Sequence, residues 1–191
     1  MSQALILTKN QTVNLTKVSQ TRNFTAALGW EIDAAQNMDV DAFALLLDKD
    51  GYLIHEASKH VIYFNNRTAP GITLSEDDRK GSHFPGEDCE TIQIEMDLTD
   101  PQVQSVHIFA SIYDAQARAQ NFSQVRNAFI RVFETDSKVE LCRFNLTEDF
   151  SAYNVFYAGG FMKSHDQIGF KAIGQGNNGD IQMVANEFER K

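Results

Sequence analysis

Cysteine is scarce in this chain: Cys89 and Cys142 are too few to staple 191 residues as a disulfide framework. Long apolar runs are missing too. None approaches the roughly 20 residues that a membrane-spanning helix needs, so any membrane association is expected to be peripheral. Met1 is followed by no basic segment, apolar run and small-residue cleavage site, and the expected location is the cytoplasm. Basic residues are the minority, 17 Lys and Arg against 26 Asp and Glu for a net charge of -9. Without a positive footprint, nucleic acid and an anionic membrane are poor direct partners. The motifs of common enzymes are also missing. There is no G-x-S-x-G elbow, no G-x-x-x-x-G-K-[ST] phosphate cradle and no dinucleotide fingerprint, and Gly174-Gln175-Gly176 stands alone as a turn. Cys89, Cys142 and the five histidines show no C-x-x-C or H-x-x-x-H pairing, which argues against zinc. No enzymatic activity is expected.

What the chain does have is a succession of short strand-like segments. Leu5 and Leu7, then Val13 and Leu15, alternate with polar residues on either side of Lys9-Asn10-Gln11, as two strands of a hairpin would. Asn23 to Glu31 carries the only tryptophan, Trp30, read as a core residue. Val40 to Leu47 is apolar enough to be covered on both faces, with a turn at Asp48-Lys49-Asp50-Gly51 and a short return over Tyr52 to Ile54. His60 to Phe64, Thr91 to Leu98, Val106 to Tyr113, Ala128 to Phe133, Val139 to Phe144, Asn154 to Ala158 and Ile168 to Ile173 complete the set. Asp114 to Val125 suits a short helix, and I-Q-M-V-A-N-E-F after Gly179-Asp180 fits a last strand or a terminal helix. The expectation is all-β: one domain over 1–191, a β-sandwich of two antiparallel sheets with few short helical segments.

The stretch from Ser75 to Thr91 departs from this pattern. It packs Glu76, Asp77, Asp78, Glu87, Asp88 and Glu90 around Gly81, Pro85 and Gly86, opposed only by Arg79 and Lys80. That composition makes it an exposed loop. Taken alone, the loop admits either a solvated acidic turn or a bound hard cation such as calcium, which takes six to eight oxygens. A second acidic feature lies upstream. Asp39 and Asp41, at i and i+2 of an extended segment, point to one side, where they repel each other unless solvated or neutralised. If the sandwich brings these parts together, Asp39, Asp41, the amide oxygens of Asn65 and Asn66, and Asp77, Asp78, Asp88 and Glu90 could share one or two calcium ions. Asp48-Lys49-Asp50-Gly51 fails the spacing of a single-loop calcium site and is a β-turn.

The most distinctive run is Ile112 to Val132, I-Y-D-A-Q-A-R-A-Q-N-F-S-Q-V-R-N-A-F-I-R-V, whose Arg118, Arg126 and Arg131 are read as braces between strands. With this run the chain resembles the TerD family of tellurium-resistance and stress-response proteins. Supporting motifs follow in order: L-x-K-x-x-x-V-x-L at Leu7 to Leu15, L-G-W at Leu28 to Trp30, D-x-D-A at Asp39 to Ala42, Asn65-Asn66, and K-A-I-G-Q-G at Lys171 to Gly176. The resemblance implies a β-sandwich, calcium held by acidic loops at one end of it, and a binding or scaffolding role among other proteins of the tellurite-resistance system, some of them membrane-associated. The loop departs from the family pattern G-D-N-x-T-G-x-G-x-G-D-D-E-x-I: Lys80 stands at the threonine, Cys89 at the middle aspartate, and His83, Phe84 and Pro85 replace glycine-rich spacing. The resemblance therefore implies that one of two metal sites is weakened or lost. The alternative is a metal-free interaction protein whose loop contacts a partner.

Overall fold

Strand propensity and alternation account for most of the architecture. The computed structural model describes residues 4–32, 38–54, 57–76, 86–146 and 150–191. Its elements are β1 (Leu5–Ile6), β2 (Thr12–Asn14), α1 (Leu15–Val18), β3 (Asn23–Ile32), β4 (Val40–Leu47), α2 (Ala57–His60) and β5 (Val61–Ile62). Then come β6 (Thr68–Ala69), β7 (Ile72–Leu74), β8 (Glu90–Glu95), β9 (Ser105–Ile112), α3 (Ala115–Arg118), a 3-10 turn (Phe122–Gln124) and β10 (Val125–Glu134). The last are β11 (Glu140–Asn145), β12 (Val155–Ser164), β13 (Gln167–Asn177) and α4 (Ile181–Glu187). They form two facing sheets, ordered β1-β11-β10-β3-β8-β7-β6 and β2-β13-β12-β9-β4-β5. All strand pairs are antiparallel except β1 with β11. The expected sandwich of two antiparallel sheets is thus what forms, with one parallel pair at an edge.

Each sheet turns its apolar face to the other. Ile92 and Ile94 on β8, Ala42, Ala44 and Leu46 on β4, and Phe161 and Phe170 on β12 and β13 meet in one buried core. β4 is buried at all eight positions because its other face is covered as well. There Phe43, Leu45 and Leu47 join Phe109 and Val155 beneath Val184 and Ala185 of α4. Asp180 decides that the last segment is a helix: its side chain caps the first turn, accepting from Met183 N at 2.8 Å.

Four local expectations change. β1 and β2 are not a hairpin but lie in different sheets, β1 on β11 and β2 on β13. The turn around Asn10, in the left-handed region with φ 65°, redirects the chain from one sheet to the other. Alternation serves a crossover between sheets as well as a hairpin, since both turn alternate side chains to the same core. Tyr52 to Ile54 makes only an isolated bridge between Leu47 and Leu53. His60 to Phe64 is divided between α2, the two-residue β5 and a tight turn from Tyr63 to Asn66. Leu98 is 61% exposed because β8 ends at Glu95 and the chain turns, Leu98 N donating to Glu95 O.

Beneath α4, Phe109 stacks on Phe43 at 4.9 Å and on Tyr157 at 4.4 Å, and Phe188 meets His107 edge-on at 5.8 Å. Tyr157 Oη is hydrogen-bonded to His107 Nδ1 at 2.8 Å. Burial lowers the His107 pKa from 6.5 to about 4 and raises that of Tyr157. The unfolded chain therefore binds a proton at His107 between those values while the native protein does not, so stability falls as pH drops from 6.5 toward 4. The full effect corresponds to about 3 kcal/mol. Urea midpoints measured at pH 7 and pH 5 will separate for the wild type, and the gap will narrow in His107→Gln. Equal gaps would show that the histidine stays solvated.

Candidate functional site

One end of the sandwich collects the acids. Val40 and Ala42 of β4 face the inter-sheet core, which places Asp39 and Asp41 on the opposite side. Asp39 holds the end of β9, its carbonyl accepting from Tyr113 N at 2.8 Å, and Asp41 stands opposite Ser111 and is only 3% exposed. From the facing sheet comes Glu90, first residue of β8, 2% exposed. Its Oε2 accepts from Ala42 N at 2.6 Å. That amide lies past the ladder of β5, whose pairing with β4 stops at Ala44. The carboxylate of one sheet thus occupies a backbone position left open on the other.

Asn65 and Asn66 sit on the turn after β5, closed by Tyr63 N to Asn66 O at 3.0 Å and Asn66 N to Tyr63 O at 2.8 Å. Asn66 Nδ2 braces it by donating to Val61 O at 2.7 Å. Phe64 meets Tyr113 edge-on at 6.0 Å, which sets this turn at the same end as Asp39. Asp77 and Asp78 lie outside the described residues.

Asp88 is engaged elsewhere. Its Oδ1 accepts from Arg131 Nε at 2.7 Å and its Oδ2 from a terminal nitrogen of the same guanidinium at 2.5 Å. Arg131 also donates to Glu140 at 3.0 Å, and Glu140 accepts from Arg143 at 2.9 Å. The hydrogen bonds that Arg131 donates to Asp88 raise its pKa despite burial. At Glu140 burial, which would raise the pKa, is outweighed by the bonds from Arg143 and Arg131, and the carboxyl titrates below its ordinary value. Arg131 lies over the Phe133 ring at 4.9 Å and Arg143 over Phe129 at 4.3 Å. This clamp fastens the returning arm of the acidic loop to the outside of the seven-stranded sheet. Backbone contacts continue it: Cys89 N donates to Leu28 O at 2.8 Å, and Cys89 Sγ lies 3.4 Å from Trp30 O. Gly29 lets the arm this close, since a Cβ there would lie 2.3 Å from the Phe129 ring and 2.4 Å from the Glu87 carbonyl.

The run from Ile112 to Val132 is structural in its details. Asp114, Ala119 and Asn127 adopt positive φ, Asn121 caps the 3-10 turn with a reciprocal capping box, and Asn127 marks a register shift in β10 while donating to Glu31 at 2.8 Å. Arg118 pairs with Asp114 at 3.8 Å and lies over Tyr113. Arg131 braces the carboxylates of Asp88 and Glu140. Arg126 is exposed and makes no ion pair among the described residues. Burial pushes the Cys142 thiol up to about 12, an inert core sulfur.

Asp39, Asp41 and Glu90, with the Asn65–Asn66 turn at the same end, present oxygen donors of the type calcium prefers. Among the described residues, however, no three His, Cys, Asp or Glu side chains are arranged to hold a metal by themselves. Further oxygens would have to come from residues 77–85, amide and backbone carbonyls, or water.

A model of the TerD domain matches residues 3–188. The chain is 33% identical over 187 residues to the tellurium resistance protein TerD of Serratia marcescens, covering 95% of each. It is 32% identical over 190 residues to general stress protein 16U of Bacillus subtilis, again covering 95% of each. Among solved structures, the protein SAV2460, described as of unknown function, superposes with a TM-score of 0.71 at 19% identity, over 91% of this chain and 100% of that one. A homologue of telluride resistance protein TerD from Streptomyces coelicolor, SCO6318, gives 0.66 at 19% identity, over 85% and 94%.

Removing the clamp will loosen the loop arm and leave two carboxylates facing each other. Arg131→Met is expected to lower stability by about 2 kcal/mol, less than for a fully buried pair because the partners are partly exposed. Arg131→Lys should lose about half as much, since an ammonium cannot form the two-pronged contact. Urea denaturation of the three proteins measures both; a neutral Arg131→Met would mean the pair contributes nothing.

Proposed function

We propose, starting from the fact that this chain belongs to the TerD domain family, that it is a calcium-binding β-sandwich of the tellurite-resistance and stress-response system, acting as a binding or scaffolding module without catalysis. The observation that carries this reading is the burial of two carboxyl side chains at this end, Asp41 from β4 and Glu90 from β8, the latter on the Ala42 amide. Burying a carboxylate is costly unless hydrogen bonds or positive charge compensate it. A hard dication meets that requirement with carboxylate, amide and water oxygens, whereas a zinc ion prefers nitrogen and sulfur. In this reading Asp39, Asp41 and Glu90 form the framework of one site, completed by Asn65, Asn66 and the loop carrying Asp77 and Asp78. Asp88 anchors the loop rather than ligating. The module works in the cytoplasm, and its partners are other proteins of the same system. No helix of the described residues is long and apolar enough to cross a membrane.

A second reading, a metal-free interaction protein of the same family, is favoured by the commitment of Asp88 to Arg131. Calcium titration separates the two. If the site binds, millimolar calcium at about 100 times its Kd stabilises the fold by about 2.7 kcal/mol. For a chain of this size that raises the melting temperature by roughly 5 to 10 °C over EDTA. Glu90→Gln, which keeps an oxygen for the Ala42 amide but removes the charge, and Asp41→Asn should each abolish most of that rise. Coincident melts of the wild type with and without calcium would leave the metal-free reading.

A further inference from the structure

At the same end of the sandwich, the space between the sheets is not filled. A cavity of about 80 Å³ lies there, walled by Leu28, Trp30 and Ala128 from the seven-stranded sheet and by Val40, Ala110 and Phe156 from the six-stranded one. Phe122 and Phe150, each only partly buried, pack at its margin. A space of that size holds a few waters or one compact molecule of about six non-hydrogen atoms.

Two of the side chains lining it are polar. Asn127 is turned to Glu31, donating Nδ2 to Oε2 at 2.8 Å. That leaves Trp30, 3% exposed, whose indole Nε1 is buried and has no hydrogen-bond partner among the described residues. A buried indole N–H ordinarily finds an acceptor. The carbonyl of Trp30 is already in contact with Cys89 Sγ, so the residue is fixed through its backbone while its one side-chain donor stays unmatched.

We propose that this cavity is a binding site for a small neutral molecule, with an apolar body that fills the gap between the sheets and a single carbonyl or hydroxyl oxygen that accepts from Trp30 Nε1. The aromatic and aliphatic walls select the apolar body, and the indole selects the acceptor. Neutrality follows from the surroundings, because the largely apolar walls make a charge of either sign costly to desolvate. For a ligand of about six heavy atoms the affinity is on the order of 0.1 mM.

Trp30 is the only tryptophan in the chain, so the protein gives one indole N–H cross-peak in a ¹H–¹⁵N spectrum. Titration with cyclopentanone should move that peak downfield and saturate with a Kd on the order of 0.1 mM. Methylcyclopentane, of similar shape but with no acceptor, should give no downfield shift. Ala128→Leu, which fills the cavity from β10, should abolish the cyclopentanone response; if its spectrum is not that of a folded protein, the smaller Ala128→Val is read in the same way and should weaken binding by roughly tenfold. An indole peak that does not respond to cyclopentanone at about 20 mM, far above that Kd, overturns the proposal. So does a response that persists undiminished in the cavity-filling variant.

Discussion

The hydrogen bond from the Ala42 amide to the Glu90 carboxylate joins the two halves of the molecule where neither sheet can finish itself. β5 is too short to cover the start of β4, and β8 begins at Glu90. A side chain from the opposite sheet supplies the missing acceptor at 2.6 Å. Most contacts between the sheets are apolar and indifferent to small sliding movements. This one has direction, and it fixes how the two sheets register at the acidic end. It also buries charge: a carboxylate so deeply buried is stable only where its surroundings compensate it.

Everything around the corner serves to hold the loop arm that delivers Glu90. Arg131 grips Asp88 two residues before it, Cys89 bonds to the backbone of β3, and Gly29 removes the side chain that would keep the arm away. Arginines lying on Phe129 and Phe133 give the outside of the seven-stranded sheet a cover that is apolar beneath and charged above. The opposite sheet solves the same problem differently, laying α4 and the Phe188 ring over its aromatic face.

Much of this was readable from residue order, for identifiable reasons. The apolar run at Val40 to Leu47, broken only by Asp41, announces a strand buried on both faces, and the i, i+2 spacing of Asp39 and Asp41 announces a shared side. The last segment fitted both periods, and only the position of Asp180 ahead of it resolves the choice. β6 and β7 escaped notice because two or three residues carry no periodicity. Asp88 looked like Glu90 in the sequence, an acid in an acidic loop. What separates them is Arg131, 43 residues away and on another strand, and nothing local foretells such a partner. The unmatched indole nitrogen of Trp30 is likewise invisible without coordinates, since a tryptophan in a core strand ordinarily finds an acceptor.

The path of the first fifteen residues bears on how the chain is made. Leu5 and Ile6 pair with a strand at residues 140–145, and Thr12 to Asn14 with one at residues 167–177. Residues 5–14 leave the ribosome long before either of their docking strands exists. They must wait, unpaired and with apolar side chains uncovered, until residues 140–177 have been synthesised, because contacts so distant in sequence form late. Closure of the sheet edges that β1 and β2 form is therefore a late event in biogenesis, and during that interval these two strands are open to capture by a chaperone or by another copy of the chain.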